Sequence, residues 1–455
     1  MSSKPKPSAF RKKAQGKFNP RNKKTFQAPR GMRDILPEEQ PYWEKVKQVI
    51  KNLAQAYGFE RLDTPILETA DLFVKGTGLY TDIIEKEMYK LRTKGGDWLS
   101  LRPEFTPAVM RAYLENGLSS WPQPVKLYAS GPIFRYERPQ KGRYRQSEQA
   151  NFEIIGQQDP VLDAQLIQLF FSISKELSLK NLTVQINSIG CSNCRPIYRK
   201  KLVSFYKNRK KQLCLNCQKR LQHNPLRLLD CQESKCQRLA QEAPQIIDQL
   251  CDDCHNHFKN VLEFLDELAL PYILNPCLVR GLDYYTKTVF EIWPESEEGR
   301  PAEDKTRQKR QISLAGGGRY DNLIKLLGGK DTPAVGFAMG IDRIVDLMKA
   351  RNIKINPRTH PVIFLVQLGN LAKKKSLKLF EELRRSGLET ASSFSRDTIK
   401  AQLKTADKLG VRFALILGQK EVLDETIIIR NMVSGIQETV PLVRVIKEIK
   451  KKLRK

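Results

Sequence analysis

The chain has 455 residues, is 40% hydrophobic and 28% charged, and contains 26 glycines and 25 prolines. That balance excludes a collagen-like or wholly disordered polymer, and the length implies two or three domains rather than one core. Lys and Arg total 79 against 50 Asp and Glu, a formal charge of +29. Such an excess repels itself and points to a polyanionic partner, with DNA, RNA and anionic lipid all open on charge alone. No apolar run approaches the roughly 20 residues of a membrane span, and the N-terminus lacks the apolar core of a secretory signal. The expectation is a cytoplasmic protein that does not enter a membrane.

Residues 1–27 carry Lys4, Lys6, Arg11, Lys12, Lys13, Lys17, Arg21, Lys23 and Lys24 with no acid before residue 25; a segment so charged and so poor in apolar residues predicts a disordered basic arm. From Pro41, Tyr42, Val46, Val49, Ile50, Leu53 and Tyr57 fall at helical spacing until Gly58. Short apolar runs bounded by turn residues predict strands at Val125–Tyr128, Asn151–Ile155, Leu182–Ile186, Val289–Trp293 and Gln311–Leu314. Helical stretches are expected at Thr106–Asn116 and Leu162–Leu177. Without a βαβα rhythm, this mixture predicts an α+β fold, an antiparallel sheet flanked by helices, over 28–186 and 274–350.

Residues 187–273 interrupt it with eight of the nine cysteines and read as a cysteine-rich inserted module. A polar stretch at 351–360, containing Pro357, reads as a linker. Residues 361–455 alternate VIFLV, a helix ending near Arg385, a helix at Thr398–Leu409, FALIL and TIIIR, the pattern of a separate small α/β domain.

Four segments carry chemistry. In Leu101-Arg102-Pro103-Glu104-Phe105-Thr106, Glu104 and Thr106 lie on one side of an extended chain and together suit an ammonium group. Residues 134–149, FRYERPQKGRYRQSEQ, place a loop dense in Arg, Lys and Gln between two strands, with Gly142 permitting a sharp turn; guanidinium forks there suit phosphate or nucleotide edges. The third is Leu278-Val279-Arg280-Gly281-Leu282-Asp283-Tyr284-Tyr285. The fourth is Ala315-Gly316-Gly317-Gly318-Arg319-Tyr320-Asp321, followed by residues 333–343, PAVGFAMGIDR. Its glycines allow close backbone approach to a ligand, with Arg343 on an adjoining helix.

The module spaces its cysteines as Cys191-x-x-Cys194, Cys214-x-x-Cys217, Cys231-x4-Cys236 and Cys251-x-x-Cys254. Each pair presents two thiolates to one tetrahedral ion, so eight ligands fit two zinc sites of four thiolates each. Iron–sulfur ligation and unligated thiols are the alternatives. The four pairs combine in three ways that spacing does not resolve. His255 and His257 read as surface residues and Cys277 as core.

In this order, with Arg30-Gly31-Met32-Arg33-Asp34, Thr64-Pro65-Ile66-Leu67-Glu68, residues 81–89 (TDIIEKEMY) and Lys400-Ala401-Gln402-Leu403-Lys404, the segments resemble the histidyl-tRNA synthetase family of class II aminoacyl-tRNA synthetases. The likeness spans about residues 28–455, and the 278–285 string is specific to that family. It implies a class II antiparallel sheet, a C-terminal anticodon-binding domain and a homodimer. It also implies activation of L-histidine by ATP with Mg2+ to histidyl-adenylate, and transfer to the 3′ end of tRNA(His).

By position, the resemblance gives Arg135 to the α-phosphate of ATP, Arg343 to the γ-phosphate end, and Arg280 to the α-phosphate and substrate carboxylate. Glu153 and Tyr285 take the imidazole, and Glu104, Thr106 and Gln149 the α-ammonium. Tyr284 and Tyr320 line the pocket, although plain core packing is the alternative for Tyr284. Arg138, Gln140 and Arg143 approach the acceptor end of the tRNA. Where the family stacks adenine on a phenylalanine, this chain has Ser147, so another ring or Arg343 must supply that contact. The basic arm and the Lys447–Lys455 tail add phosphate contacts without base specificity. Many members of the family lack the cysteines, which implies a scaffold role for the metal sites.

Overall fold

The computed structural model describes residues 26–78, 81–140, 142–295, 313–355, 361–395 and 398–454. Most of the basic arm, Lys141, the first two residues of the strand expected at Gln311–Leu314, half of the linker and the final Lys455 lie outside them. The chain divides into two compact units, Met1–Ile353 and Lys354–Lys455.

In the first unit an eight-stranded sheet runs in the order Glu60–Arg61, Val125–Phe134, Gln146–Ile155, Ala334–Gly340, Ala315–Arg319, Thr286–Pro294, Leu182–Ser188 and Tyr272–Leu274. Only the two edge pairings are parallel. The expected strands are present but longer. Val125–Tyr128 continues to Phe134, and Asn151–Ile155 begins at Gln146. The strand expected to reach Leu314 instead begins at Ala315, because the glycine triplet is itself sheet, paired on both sides.

Alternation along Gln146–Ile155 assigns the two faces. Ala150, Phe152 and Ile154 turn toward the helix Val161–Glu176, where Phe152 stacks on Phe337 at 5.0 Å and Phe170 meets Phe337 edge-on at 6.2 Å. Gln149, Asn151 and Glu153 turn to the other face, toward the helix Thr106–Glu115. On that side Val109, Met110 and Tyr113 belong to one continuous core with Tyr198, Leu202 and Tyr206 of the cysteine module.

The module consists of four helices, Cys194–Lys207, Leu215–His223, Ser234–Gln241 and Asp252–Glu267, between the strands Leu182–Ser188 and Tyr272–Leu274. The second unit is a five-stranded sheet in the order Thr390–Ser392, Ile363–Gln367, Phe413–Leu417, Thr426–Asn431, Gln437–Pro441. Ile363 and Leu365 pack on one of its faces, Phe364 and Val366 on the other, so the VIFLV run is apolar throughout because both faces are covered. The Lys447–Lys455 tail belongs largely to a helix, Val445–Leu453.

Arg319 of the glycine-rich segment takes no part in the cleft. It is fully buried and donates to Asp163 at 2.8 Å and to the carbonyls of Asp159 and Gln157 at 2.8 and 3.2 Å. Asp163 is also 3.4 Å from His257, which the structure buries against expectation. Removing one member of a buried pair strands the other's charge. Arg319→Leu should therefore cost about 3–5 kcal/mol in denaturant unfolding, and a loss below about 1 kcal/mol would contradict this account of the pair.

Candidate active site

The floor of the site is a patch of sheet without side chains. Gly316 pairs with Ala338, Gly318 with Gly336, and Gly340 with Gln149. Along Ala334–Gly340 the small residues therefore face the cleft while Val335, Phe337 and Met339 fill the core behind. A Cβ on Gly316 would fall on the Arg280 guanidinium, and one on Gly336 on the Glu153 carboxylate and Tyr320 hydroxyl. The fourth motif is thus a space requirement, met by residues that give up packing to admit their neighbours.

Arg135, Arg280 and Arg343 line one cleft with Arg143, Gln149, Tyr144 and Ser147. Main-chain carbonyls hold two of them. Arg135 Nε donates to Pro103 O at 2.8 Å, and Arg343 donates to Gly142 O at 3.2 Å and Ser313 O at 2.8 Å. Arg280 is ion-paired with Glu291 and lies over the Tyr285 ring at 5.7 Å. Burial and the cations of Arg135 and Arg143 push Arg343 down to about 10. Burial acts on Arg280 in the same direction, but the Glu291 carboxylate and the neighbouring tyrosines outweigh it and raise that group. Among the described residues, Arg280 Nε and Gln149 Oε1 are buried without a hydrogen-bond partner. Clustered cations and the orphaned Arg280 donor are features of an anion site, whereas the Gln149 oxygen is an acceptor and suits a donor such as an ammonium group.

Behind the arginines two buried carboxyl groups meet three tyrosines. Glu104 accepts from Thr77 Oγ1 at 2.9 Å and Tyr284 OH at 2.8 Å. Glu153 accepts from Thr106 Oγ1 at 2.8 Å, Asn151 Nδ2 at 3.4 Å and the Tyr320 hydroxyl. Tyr285 packs against Tyr284 with ring centroids 4.7 Å apart. Tyr284 is therefore more than packing, since its hydroxyl bonds a carboxylate. Burial raises Glu153 to about 7, against its three hydrogen-bond donors and with some help from Glu104; burial likewise raises Glu104.

Arg138, Gln140 and Arg143 are exposed on the loop joining the strands Val125–Phe134 and Gln146–Ile155, where Gln140 and Arg143 exchange backbone hydrogen bonds of 3.2 and 2.9 Å. Sequence reasoning missed Thr77, Asn151 and Tyr144. Asn151 sits two residues from Glu153 on the same strand face, a signal the alternation contains. Tyr144 is the one aromatic ring in the cleft lining among the described residues. Its ring lies 5.1 Å from the Arg33 guanidinium.

The cysteines resolve into two groups, Cys191, Cys194, Cys251 and Cys254, and Cys214, Cys217, Cys231 and Cys236, each with its sulfurs within 4.8 Å of one another. Separations of 3.6, 3.8 and 3.3 Å in the first and 3.9 Å in the second are far from a disulfide at about 2.05 Å. They match the edge of a tetrahedron, about 3.8 Å, set by zinc–sulfur bonds of about 2.3 Å. The residues fit an ion held by four thiolates at each position. His255 is exposed and His257 is engaged with Asp163, so neither joins a sulfur cluster.

A mostly antiparallel sheet, a charged loop between two of its long adjacent strands, Val125–Phe134 and Gln146–Ile155, and an arginine at the start of the helix Ile341–Ala350 define the class II aminoacyl-tRNA synthetase architecture. Residues 31–344 match the family model described as histidyl-tRNA synthetase, and residues 362–452 match that of an anticodon binding domain. A histidine--tRNA ligase of Dehalococcoides mccartyi is 45% identical over 94% of this chain and all of its own length. One of Desulforamulus reducens is 42% identical over 91% of this chain and 96% of its own. The apo crystal structure of histidyl-tRNA synthetase from S. aureus superposes with a TM-score of 0.76 at 33% identity, covering 93% of this chain and 99% of that one. The chain belongs to the histidyl-tRNA synthetase family.

Glu153 supplies a pH test. Its folded value of about 7 lies above the ordinary 4.5, so the native state holds the extra proton. Its ionisation then erodes stability as pH rises through that window, and the loss is complete above it. Glu153→Gln cannot ionise, so its stability should improve relative to the parent by up to about 3 kcal/mol between pH of about 4.5 and 7 and level off above. Thermal unfolding across pH measures this, and a difference independent of pH would mean that Glu153 does not titrate in that range.

Proposed function

We propose that the protein charges tRNA(His) with L-histidine in two steps within this cleft. In the first, a carboxylate oxygen of histidine attacks the α-phosphorus of MgATP, a P–O bond forms, and the bond to pyrophosphate breaks. In the second, a hydroxyl at the 3′ end of the tRNA attacks the carbonyl carbon of the adenylate and AMP leaves. Neither step asks the protein for a covalent bond, so positioning and charge stabilisation carry the rate. The observation that supports this best is the convergence of three guanidinium groups on a glycine floor beside a buried carboxyl–tyrosine cluster.

In this reading Arg135 and Arg280 neutralise charge at the α-phosphate and Arg343 at the γ-phosphate end. Glu153 and Tyr285 hydrogen-bond the imidazole, with Tyr320 and Thr106 fixing the Glu153 carboxylate. A ligand without ring nitrogens would leave those buried groups unpaired, which gives selectivity. Glu104, Thr106 and Gln149 hold the ammonium, Tyr284 fixing Glu104. Tyr144 is the ring available to adenine in place of the missing phenylalanine. Arg138, Gln140 and Arg143 meet the acceptor end, and the 361–455 domain meets the anticodon.

A homodimer is supported by the motif 1 resemblance and by Ile66, Leu67, Leu91 and Trp98, exposed on or beside a small sheet of Leu67–Thr69, Lys90–Arg92 and Trp98–Leu101. Among the described residues no helix is long and apolar enough to cross a membrane, and in this reading the protein works in the cytoplasm. The two sulfur clusters hold structural zinc.

Histidine-dependent exchange of pyrophosphate into ATP tests the first step. Arg280→Ala should lower exchange at least about a hundredfold with the fold intact; near-parental exchange would overturn its role. For the metal, purified protein should contain two zinc ions per chain and Cys217→Ser about one. An iron-containing, coloured protein, or one without metal, would refute zinc.

A further inference from the structure

The segment bearing Arg280, Tyr284 and Tyr285 is irregular backbone between the strands Tyr272–Leu274 and Thr286–Pro294, so it cannot fix its own geometry by ladder hydrogen bonds. Three side chains of the cysteine module fix it instead. Arg227 donates to Gly281 O at 3.3 Å, Asn224 Nδ2 to the Asp283 carboxylate at 2.6 Å, and Arg195 to Tyr285 O at 2.9 Å. Arg195 directly follows Cys194 of one sulfur cluster, while Asn224 and Arg227 lie between Cys217 and Cys231 of the other.

The segment that carries the inner cluster, Cys214, Cys217, Cys231 and Cys236, is also tied to Asp82. Arg220 and Arg227 both pair with Asp82, at 3.0 and 3.3 Å, and Asp230, beside Cys231, lies 2.9 Å from Arg227 and 3.6 Å from Arg220. Asp283 in turn donates its N–H to Thr77 O at 3.0 Å, and Thr77 holds Glu104. The elements carrying these contacts are a nine-residue helix, Leu215–His223, and a single short turn, Pro225–Leu228. Neither is long enough to be rigid by itself, and no disulfide joins the thiols of the inner cluster, where the Cys214 and Cys231 sulfurs lie 3.9 Å apart.

We propose that the cysteine-rich module is a metal-dependent clamp on residues 280–285, with Arg195, Asn224 and Arg227 as positioning residues for the histidine pocket. Cys191, Cys194, Cys251 and Cys254, at the neck of the module, would hold one ion beside Arg195, which donates to the Tyr285 carbonyl, and the inner cluster would hold the other on the segment carrying Asn224 and Arg227, which donate to Asp283 and Gly281. The clamp rests on the proposed function only in naming histidine as the ligand whose affinity it sets.

Hydrogen exchange of the full-length protein, followed by mass spectrometry, tests it alongside zinc content and the calorimetric Kd for histidine. Asn224→Ala and Arg227→Ala should each retain two zinc ions and speed exchange selectively across 278–286. Each should weaken histidine about tenfold, and Arg227→Lys should recover part of the loss. Cys217→Ser should give the same local exchange signature with one ion fewer. Unchanged exchange at 278–286 in metal-replete Asn224→Ala and Arg227→Ala would overturn the clamp, as would acceleration spread over the whole chain. If the parent itself binds no histidine, the proposed function fails, while the exchange pattern still decides the clamp.

Discussion

Three guanidinium groups around one cleft repel each other until an anion arrives, and much of the surrounding chain serves to hold them there. Arg135 and Arg343 are tied to carbonyl oxygens of Pro103, Gly142 and Ser313 rather than to carboxylates. A carbonyl orients a guanidinium without neutralising it, so the charge remains available to a phosphate. Arg280 alone carries an acidic partner, Glu291, and also sits deepest against the tyrosines. Burial first, and then the cations of Arg135 and Arg143, lower Arg343 to about 10. Such preorganisation costs native stability and spares the reacting system that cost, because no dipole need turn as charge develops.

The carboxyl–tyrosine side of the cleft obeys the opposite rule. Glu104 and Glu153 are buried and each is satisfied by hydroxyl donors, which makes the carboxyl geometry rigid without a direct ion pair among the described residues. Space for that arrangement comes from Gly336, directly across the sheet from Glu153. The pattern of glycine and alanine alternating with Val335, Phe337 and Met339 thus encodes both the pocket floor and the core beneath it.

What the sequence made legible follows from periodicity, and what it hid follows from tertiary contact. Apolar alternation located most central strands and the helices packed on them. Their ends were obscured where function displaces the pattern. Gly131 and Pro132 look like a turn but continue the strand Val125–Phe134, with the Pro132 carbonyl accepting from Arg102 at 2.9 Å. Gln146 to Gln149 look like loop because none of the four is apolar, although they pair with Gly131–Phe134 as sheet. The glycine triplet likewise pairs as strand. The site residues came from motif and resemblance, whereas Tyr144 and Thr77 become visible only when distant segments meet. Cysteine spacing gave the number of thiolates but not their grouping. Cys191 and Cys194 join Cys251 and Cys254 because the module leaves from Leu182–Ser188 and returns to its parallel neighbour, Tyr272–Leu274. That pairing is a property of sheet topology, beyond the reach of local sequence.

The same topology explains why an insertion of this size carries two sulfur clusters. Its apolar residues do not form an independent core. Tyr198, Leu202 and Tyr206 pack in one cluster with Phe105, Val109 and Met110 of the catalytic helix region. A module whose core is shared on one side must find rigidity elsewhere on the other, and short helices of eight and nine residues do not supply it. Two sets of four thiolates, each within 4.8 Å of one another, are the means at hand, since an ion held by four ligands would cross-link them. The neck cluster closes the chain where it leaves and re-enters the sheet, and the inner cluster fixes the tip that touches Asp82 and Asp283. Because core and contacts are continuous, rigidity gained at the sulfurs passes to the pocket walls rather than being lost at a hinge.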